Sequence, residues 1–80
     1  MTLKAAFASK IREARKTYGY TQAQVAEAVF ISTRWYQQVE RGAFLPGSAV
    51  MLRLLILFEL NPSDFRAEVG LDDSPFVSYH

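Results

Sequence analysis

The sequence predicts an all-α fold of five short helices in one small domain, and two observations support this. Apolar residues recur at three- and four-residue spacing along successive segments, which is the period of an amphipathic helix. Residues that cap helix N-termini precede these segments, and a glycine suited to left-handed geometry ends two of them. The chain has 80 residues, of which 50% are apolar and 14% aromatic. We therefore expect a compact core rather than disorder, although the length is near the minimum for one.

The first predicted helix begins after Thr2 and ends at Gly19. Its apolar stripe consists of Leu3, Phe7, Ile11, Ala14 and Tyr18. Three basic residues of the same helix allow two interpretations, a solvated helix face or contacts with phosphate groups. These residues are Lys10, Arg12 and Lys16.

The segment from Thr21 to Gly42 predicts two short helices joined by a tight connection of three or four residues. Thr21 is a suitable cap for a helix over residues 22–29, in which the apolar residues lie at helical spacing. Ser32 offers a second capping hydroxyl before a helix over residues 33–41, which Gly42 ends. This arrangement is typical of a helix-turn-helix.

The second helix of this segment carries hydrogen-bonding side chains on the side away from its apolar stripe. They are Thr33, Arg34, Gln37, Gln38 and Arg41. Arginine pairs with guanine and glutamine with adenine, while hydroxyl and methyl groups suit several bases. None of the five side chains is acidic. The pattern therefore predicts that this helix contacts base edges in double-stranded DNA.

The same segment resembles the helix-turn-helix of the lambda and 434 repressor and Cro family, also called the Xre type. The residues that carry the resemblance are Gln22, Ala26, Val29 with Ile31, and Glu40-Arg41-Gly42. It extends on both sides of the segment, to Ile11, Arg15, Gly19, Pro46, Leu54, Phe58 and Phe65. The resemblance implies a compact five-helix, lambda-repressor-like DNA-binding domain over residues 1–66, followed by an irregular C-terminal tail over residues 67–80.

By position, the resemblance implies which residues contact DNA. Base contacts fall on Ser32, Thr33, Arg34 and Gln38, with Gln37 as a secondary candidate. Contacts with the sugar-phosphate backbone fall on Gln22, Arg41 and Gly42. Apart from the resemblance, Lys10 is a further candidate because it is one of the basic residues of the first helix. The Gly42 N–H suits a phosphate oxygen, although glycine here also suits the residue after a helix end, and both roles are compatible.

Two aromatic residues and one ion pair complete the predicted site. Trp35 lies either along the sugar-phosphate wall or a thymine methyl group, or it covers a neighbouring helix of the same protein. Tyr36 is predicted in the core with its hydroxyl at the rim. The resemblance implies that Arg15 pairs with Glu40 and ties the first helix to the third.

Phe30 departs from the family pattern, which has glycine in a left-handed turn at this position. A bulky residue at positive φ costs on the order of 1 kcal/mol. Two alternatives follow: either Phe30 accepts the strain and gains burial, or the turn has another shape and the following helix is tilted.

The fourth predicted helix covers residues 49–60, is capped by Ser48 and is apolar nearly all round. It is too short to span a membrane and contains Arg53 and Glu59. Because a helix of this kind is normally covered on every side, the sequence predicts a homodimer. The predicted interface consists of Val50, Leu52, Ile56 and Leu57. After it, Asn61 and Pro62 start a last short helix, and Phe76, Val77 and Tyr79 of the tail are expected to pack on the body or on the partner subunit.

Composition limits the functional class. Cysteine is absent and the single histidine is His80, so we predict no metal site, no cofactor and no enzymatic activity. No membrane association and no small-molecule ligand are predicted, and no stretch resembles a signal peptide, which favours a cytoplasmic location. Residues 1–41 hold seven basic against three acidic residues, a balance of +4, whereas residues 42–80 hold two against five, a balance of −3. The basic half contains the helix-turn-helix, as DNA binding requires.

The sequence therefore predicts a sequence-specific transcriptional regulator, a repressor that binds an inverted-repeat operator as a homodimer. An alternative from another class is a protein-interaction module, such as an antitoxin-like partner that uses the apolar fourth helix and the tail to bind another protein.

Overall fold

The computed structural model of the chain describes residues 1–71. Four α-helices follow one another in this part: α1 (Leu3–Tyr18), α2 (Gln22–Ala28), α3 (Thr33–Glu40) and α4 (Ser48–Leu57). A short 3₁₀ helix, η1 (Pro62–Phe65), stands where the fifth helix was predicted. The all-α prediction is confirmed, but the fifth helix is a single 3₁₀ turn. The predicted packing of Phe76, Val77 and Tyr79 lies outside the described residues.

Three of the predicted N-caps are present. The hydroxyl groups of Thr2, Thr21 and Ser32 each accept a hydrogen bond from the backbone N–H three residues further on. The prediction for α4 was wrong, because Gly47 occupies the cap position and Ser48 is the first helical residue. A capping side chain must belong to the residue before the helix, so Ser48 makes no such bond.

One hydrophobic core joins all five elements. Ile11, Tyr36 and Leu54, from α1, α3 and α4, have no exposed surface. They are surrounded by Phe7, Val25, Ala26, Val29, Val39, Leu55, Phe58 and Phe65. The prediction that the Tyr36 hydroxyl lies at the rim was wrong, since the whole side chain is buried. Because α3 packs against both α1 and α2, its orientation is fixed by the core.

Helix α4 is not covered on every side, and the four residues predicted at a dimer interface do not share one face. Val50 and Leu57 are partly buried and pack against the core of the same chain. Leu52 and Ile56, one turn apart, are 57% and 76% exposed. The large apolar side chains that α4 exposes are therefore Leu52 and Ile56, which together form the exposed strip of α4. Within residues 1–71, no helix has the length and apolar character needed to cross a membrane.

Phe30 keeps the left-handed turn of the family, with φ 63°. Its N–H donates to the Glu27 carbonyl and the Ile31 N–H donates to the Ala26 carbonyl, which is the bonding of a Schellman motif. The gain of burial that belonged to the first alternative is absent, because Phe30 is 77% exposed. Instead, the Arg53 guanidinium carbon lies 4.9 Å from the centre of its ring. The turn therefore retains its backbone strain, and the stabilising contact of the Phe30 ring is a cation–π contact at the surface.

Two substitutions at Phe30 separate these contributions. Phe30→Ala removes the ring but keeps a Cβ at positive φ, so it should lower the free energy of unfolding by about 0.5–1 kcal/mol. Phe30→Gly also relieves the backbone, and we expect it to be more stable than Phe30→Ala by about 1 kcal/mol. Urea unfolding of the three proteins provides the comparison. Equal stability of the glycine and alanine variants would show that the turn is unstrained.

Candidate nucleic-acid interface

The N-terminal end and one side of α3 are exposed, and most of the predicted base contacts lie there. Thr33, Arg34 and Gln37 are exposed, and Gln38 is half-buried one turn after Arg34. Residues four apart share a helix face, so the structure brings these side chains together. Ser32 lies at the helix start, where its hydroxyl accepts from the Trp35 N–H at 3.1 Å. That hydroxyl keeps its proton as a donor for a further partner.

The opposite side of α3 is attached to α1 by a buried ion pair. Arg15 Nε is 2.6 Å from Glu40 Oε2, and Arg15 Nη2 is 3.2 Å from Glu40 Oε1. Glu40 is only 3% exposed, and Arg15 also donates to the Tyr20 carbonyl. The pair that the resemblance implied is present, and its two-bond geometry is the arrangement in which arginine binds a carboxylate best.

A second arginine of α1 holds the same end of α3, and sequence analysis did not identify it. Arg12 Nη1 donates to the Glu40 backbone carbonyl at 2.9 Å. That carbonyl belongs to the last turn of α3, where carbonyl groups lack helical partners and cations are favoured. The three-residue spacing of Arg12 and Arg15, which puts both on one face of α1, was the available signal.

Burial and the ion pair together shift the pKa values of Glu40, Tyr36 and Arg15. Burial alone would raise the pKa of Glu40, but hydrogen bonds from Arg15 and Gln22 help to outweigh burial and leave the pKa below its usual value. Burial, followed by the nearby Glu40 carboxylate, raises the pKa of the Tyr36 phenol. The hydrogen bond with Glu40 raises the pKa of Arg15 in turn, despite its partial burial. The Arg15–Glu40 pair is therefore charged at neutral pH.

Two glutamine side chains extend this pair to the protein surface. Gln22 Nε2, on α2, donates to Glu40 Oε1 at 3.2 Å. Gln37 Nε2, on α3, donates to Gln22 Oε1 at 3.2 Å. Gln22, predicted to contact a phosphate, is thus linked to the buried carboxylate, and Gln37, predicted as a secondary base contact, is linked to Gln22.

The remaining predicted backbone contacts differ in outcome. Arg41 is exposed at the end of α3. The Gly42 N–H donates to the Val39 carbonyl at 3.1 Å, with φ 75°, so the helix-end role is observed, and the phosphate contact stays a prediction. The Nζ of Lys10 lies 5.7 Å from the centre of the Phe65 ring of η1, and its phosphate contact stays a prediction. Arg12 and Arg15 are the basic residues of α1 whose side chains hydrogen-bond to α3 in the described part of the chain.

Trp35 contacts its own chain on one side and is half exposed. Its ring centre lies 4.5 Å from that of Phe44, in the loop after α3, and 51% of its surface remains exposed. The structure therefore has Trp35 packed on a loop residue of its own chain. The exposed part of the ring lies on the same helix as Arg34 and Gln38, beside the predicted base contacts.

Comparison with known families agrees with this geometry. The family model described as a helix-turn-helix domain matches residues 6–68, and the chain belongs to this family. The match is consistent with the Xre or Cro type of DNA-binding domain that the motif resembles. No curated protein and no solved structure matches the chain.

Proposed function

We propose that this protein is a sequence-specific transcriptional regulator that binds double-stranded DNA through α3. The observation that carries the proposal is the division of α3 into two sides. Tyr36, Val39 and Glu40 attach one side to the core, whereas Thr33 and Arg34 project from the exposed end. A rigidly held helix with exposed donors at its N-terminal end is suited to the major groove.

Base contacts and backbone contacts have different tasks in this proposal. Thr33, Arg34 and Gln38 select the sequence, while Gln22 and Arg41 hold phosphate groups and supply affinity that falls with salt. The resemblance to repressor and Cro domains favours repression as the output. Two domains related by a two-fold axis would place their α3 helices about 34 Å apart in successive major grooves, and such a dimer requires an inverted-repeat operator.

Selection of bound sequences from a random duplex pool tests the proposal directly. We expect enrichment of an inverted repeat with a constant spacing between its half-sites. Enrichment of a single half-site would support sequence-specific binding but contradict the dimer. A pool that remains random after selection at low salt would contradict the regulator function.

The exposed strip of α4 is the surface we propose for the dimer. Leu52→Glu with Ile56→Glu would place four charges at a two-fold interface, so we expect the variant to have the mass of a monomer and to lose cooperative binding to the inverted repeat. Leu71→Glu, which alters an exposed apolar residue outside α4 and η1, is the matched control and should remain a dimer. Light scattering gives the mass, and an unchanged mass for the double variant would place the interface elsewhere.

A second candidate function is a protein-interaction module, such as an antitoxin-like partner. It is favoured by the exposed apolar side chains of Phe30, Leu52 and Ile56, which are unusual on a small monomer. A discrete dimer that binds a selected duplex supports the first function. A monomer that selects no duplex and becomes soluble only with another protein supports the second.

A further inference from the structure

We infer that Gln37 is a positioning residue, which orients the Gln22 side-chain amide toward a DNA phosphate and does not itself contact a base. The inference rests on the proposed DNA-binding function and deepens it. It starts from the chain of hydrogen bonds that runs from Arg15 through Glu40 and Gln22 to Gln37.

The buried carboxylate fixes the direction of every bond in this chain. A glutamine amide has one end that donates and one end that accepts, whereas an ionised carboxylate only accepts. Glu40 is ionised because its pKa is lowered, so the Gln22 NH₂ group must face it. The Gln22 carbonyl oxygen must then face Gln37, and Gln37 must present its own NH₂ group.

This polarity leaves Gln22 with a donor suited to a phosphate. One proton of its NH₂ group is used on Glu40, and the second remains for another acceptor. Without Gln37, the outer oxygen of Gln22 has water as its partner and the half-buried side chain has more rotamers. Gln37 therefore reduces the ordering that Gln22 must undergo when it binds a phosphate oxygen.

The same bond removes Gln37 from base contact. Its amide nitrogen lies across the gap between α3 and α2, 3.2 Å from Gln22. A side chain held there is not extended from α3 toward a base edge. Gln38, the next residue, makes no such bond through its side chain among the described residues and remains the base contact of this turn.

A double-mutant cycle on the selected duplex tests the inference. Gln37→Met keeps the length of the side chain and removes its hydrogen bonds, so we expect a loss of affinity of about two- to tenfold, the value of one neutral hydrogen bond. The loss should be the same on matched and mismatched duplexes. In a Gln22→Ala background, Gln37→Met should change nothing, because the amide it orients is gone. Gln38→Met is the matched contrast and should alter the preference at one base pair.

Three outcomes of the cycle would overturn the positioning role. These are unchanged affinity of Gln37→Met, an equal loss in both backgrounds, and an altered preference at a single base pair. Failure of the wild-type protein to bind any duplex would instead overturn the proposed function. The two failures are therefore distinguishable.

Nuclear magnetic resonance of the free protein examines the contact without DNA. The side-chain amide protons of Gln37 should show nuclear Overhauser effects to the Gln22 side chain at neutral pH. Their absence in a folded wild-type protein would overturn the positioning role even if the binding data agreed with it.

Discussion

Arg15→Ala should lower the free energy of unfolding by roughly 3–5 kcal/mol, because it leaves a buried charge without its partner. Glu40 is 3% exposed, and both of its carboxylate oxygens accept from Arg15 in the native protein. Chemical denaturation, monitored by circular dichroism, measures the change in the free energy of unfolding. Lys16→Ala is the matched control, since Lys16 is an exposed cation beside Arg15 and its loss should matter by no more than about 0.5 kcal/mol. An Arg15→Ala protein that unfolds like wild type would refute the stabilising role of the pair.

In Arg15→Ala, the contribution of Glu40 to the free energy of unfolding should change with pH in the opposite direction to its contribution in the wild type. In the native protein the pKa of Glu40 lies below its unfolded-state value of about 4.5, so the folded state binds fewer protons. The stability contributed by the carboxylate is therefore present above pH 4.5 and is lost as the pH falls through the folded-state pKa. Without Arg15, burial raises the pKa instead. Protonation then favours the folded variant, and its deficit relative to wild type should shrink between pH 7 and pH 5.

The features predictable from the sequence are those that rest on local chemistry or on a fixed family position. Thr2, Thr21 and Ser32 cap helices because a hydroxyl before an apolar-periodic segment satisfies free N–H groups, a rule that needs no tertiary information. The pairing of Arg15 with Glu40 followed from the family position of both residues. The contact of Arg12 was missed because its partner is a backbone carbonyl, which every residue carries, so the spacing of Arg12 and Arg15 indicated a shared helix face but not the acceptor.

Several of the other differences arise from tertiary packing. The sequence shows that α4 is apolar nearly all round but not which side meets the core, so Leu57 was grouped with Ile56 although only Ile56 is largely exposed. The burial of Phe30, which was one of two alternatives, is absent for a similar reason. Its turn projects the ring outward beneath Arg53, a residue 23 positions away. Gln37 was placed among the base contacts by its polarity, whereas its partner on α2 is known only once the two helices are packed.

Arg34→Ala should weaken binding to the selected operator by roughly 1–3 kcal/mol, which is about five- to 150-fold, and relax the preference at one base pair of each half-site. Arg34 is the second residue of α3 and is exposed, so its guanidinium can form two hydrogen bonds with a guanine without any change in the core. The loss should be largest on the preferred duplex and small on a duplex that already carries another base at that position. Titration of duplexes with all four base pairs at each site measures both effects.

Arg41→Ala is the control that separates base contact from phosphate contact. Arg41 lies at the opposite end of α3, exposed, and its loss should weaken binding equally on every duplex and reduce the slope of affinity against salt by about one ion. If Arg34→Ala behaved in this way, its guanidinium would be a phosphate contact. Sequence choice would then rest on Thr33 and Gln38, whose neutral side chains contribute little to the salt dependence. Arg34 and Arg41 lie at the two ends of a helix that is held by Glu40. A base-specific loss of affinity at one end and a uniform, salt-dependent loss at the other would therefore determine the orientation of α3 on DNA.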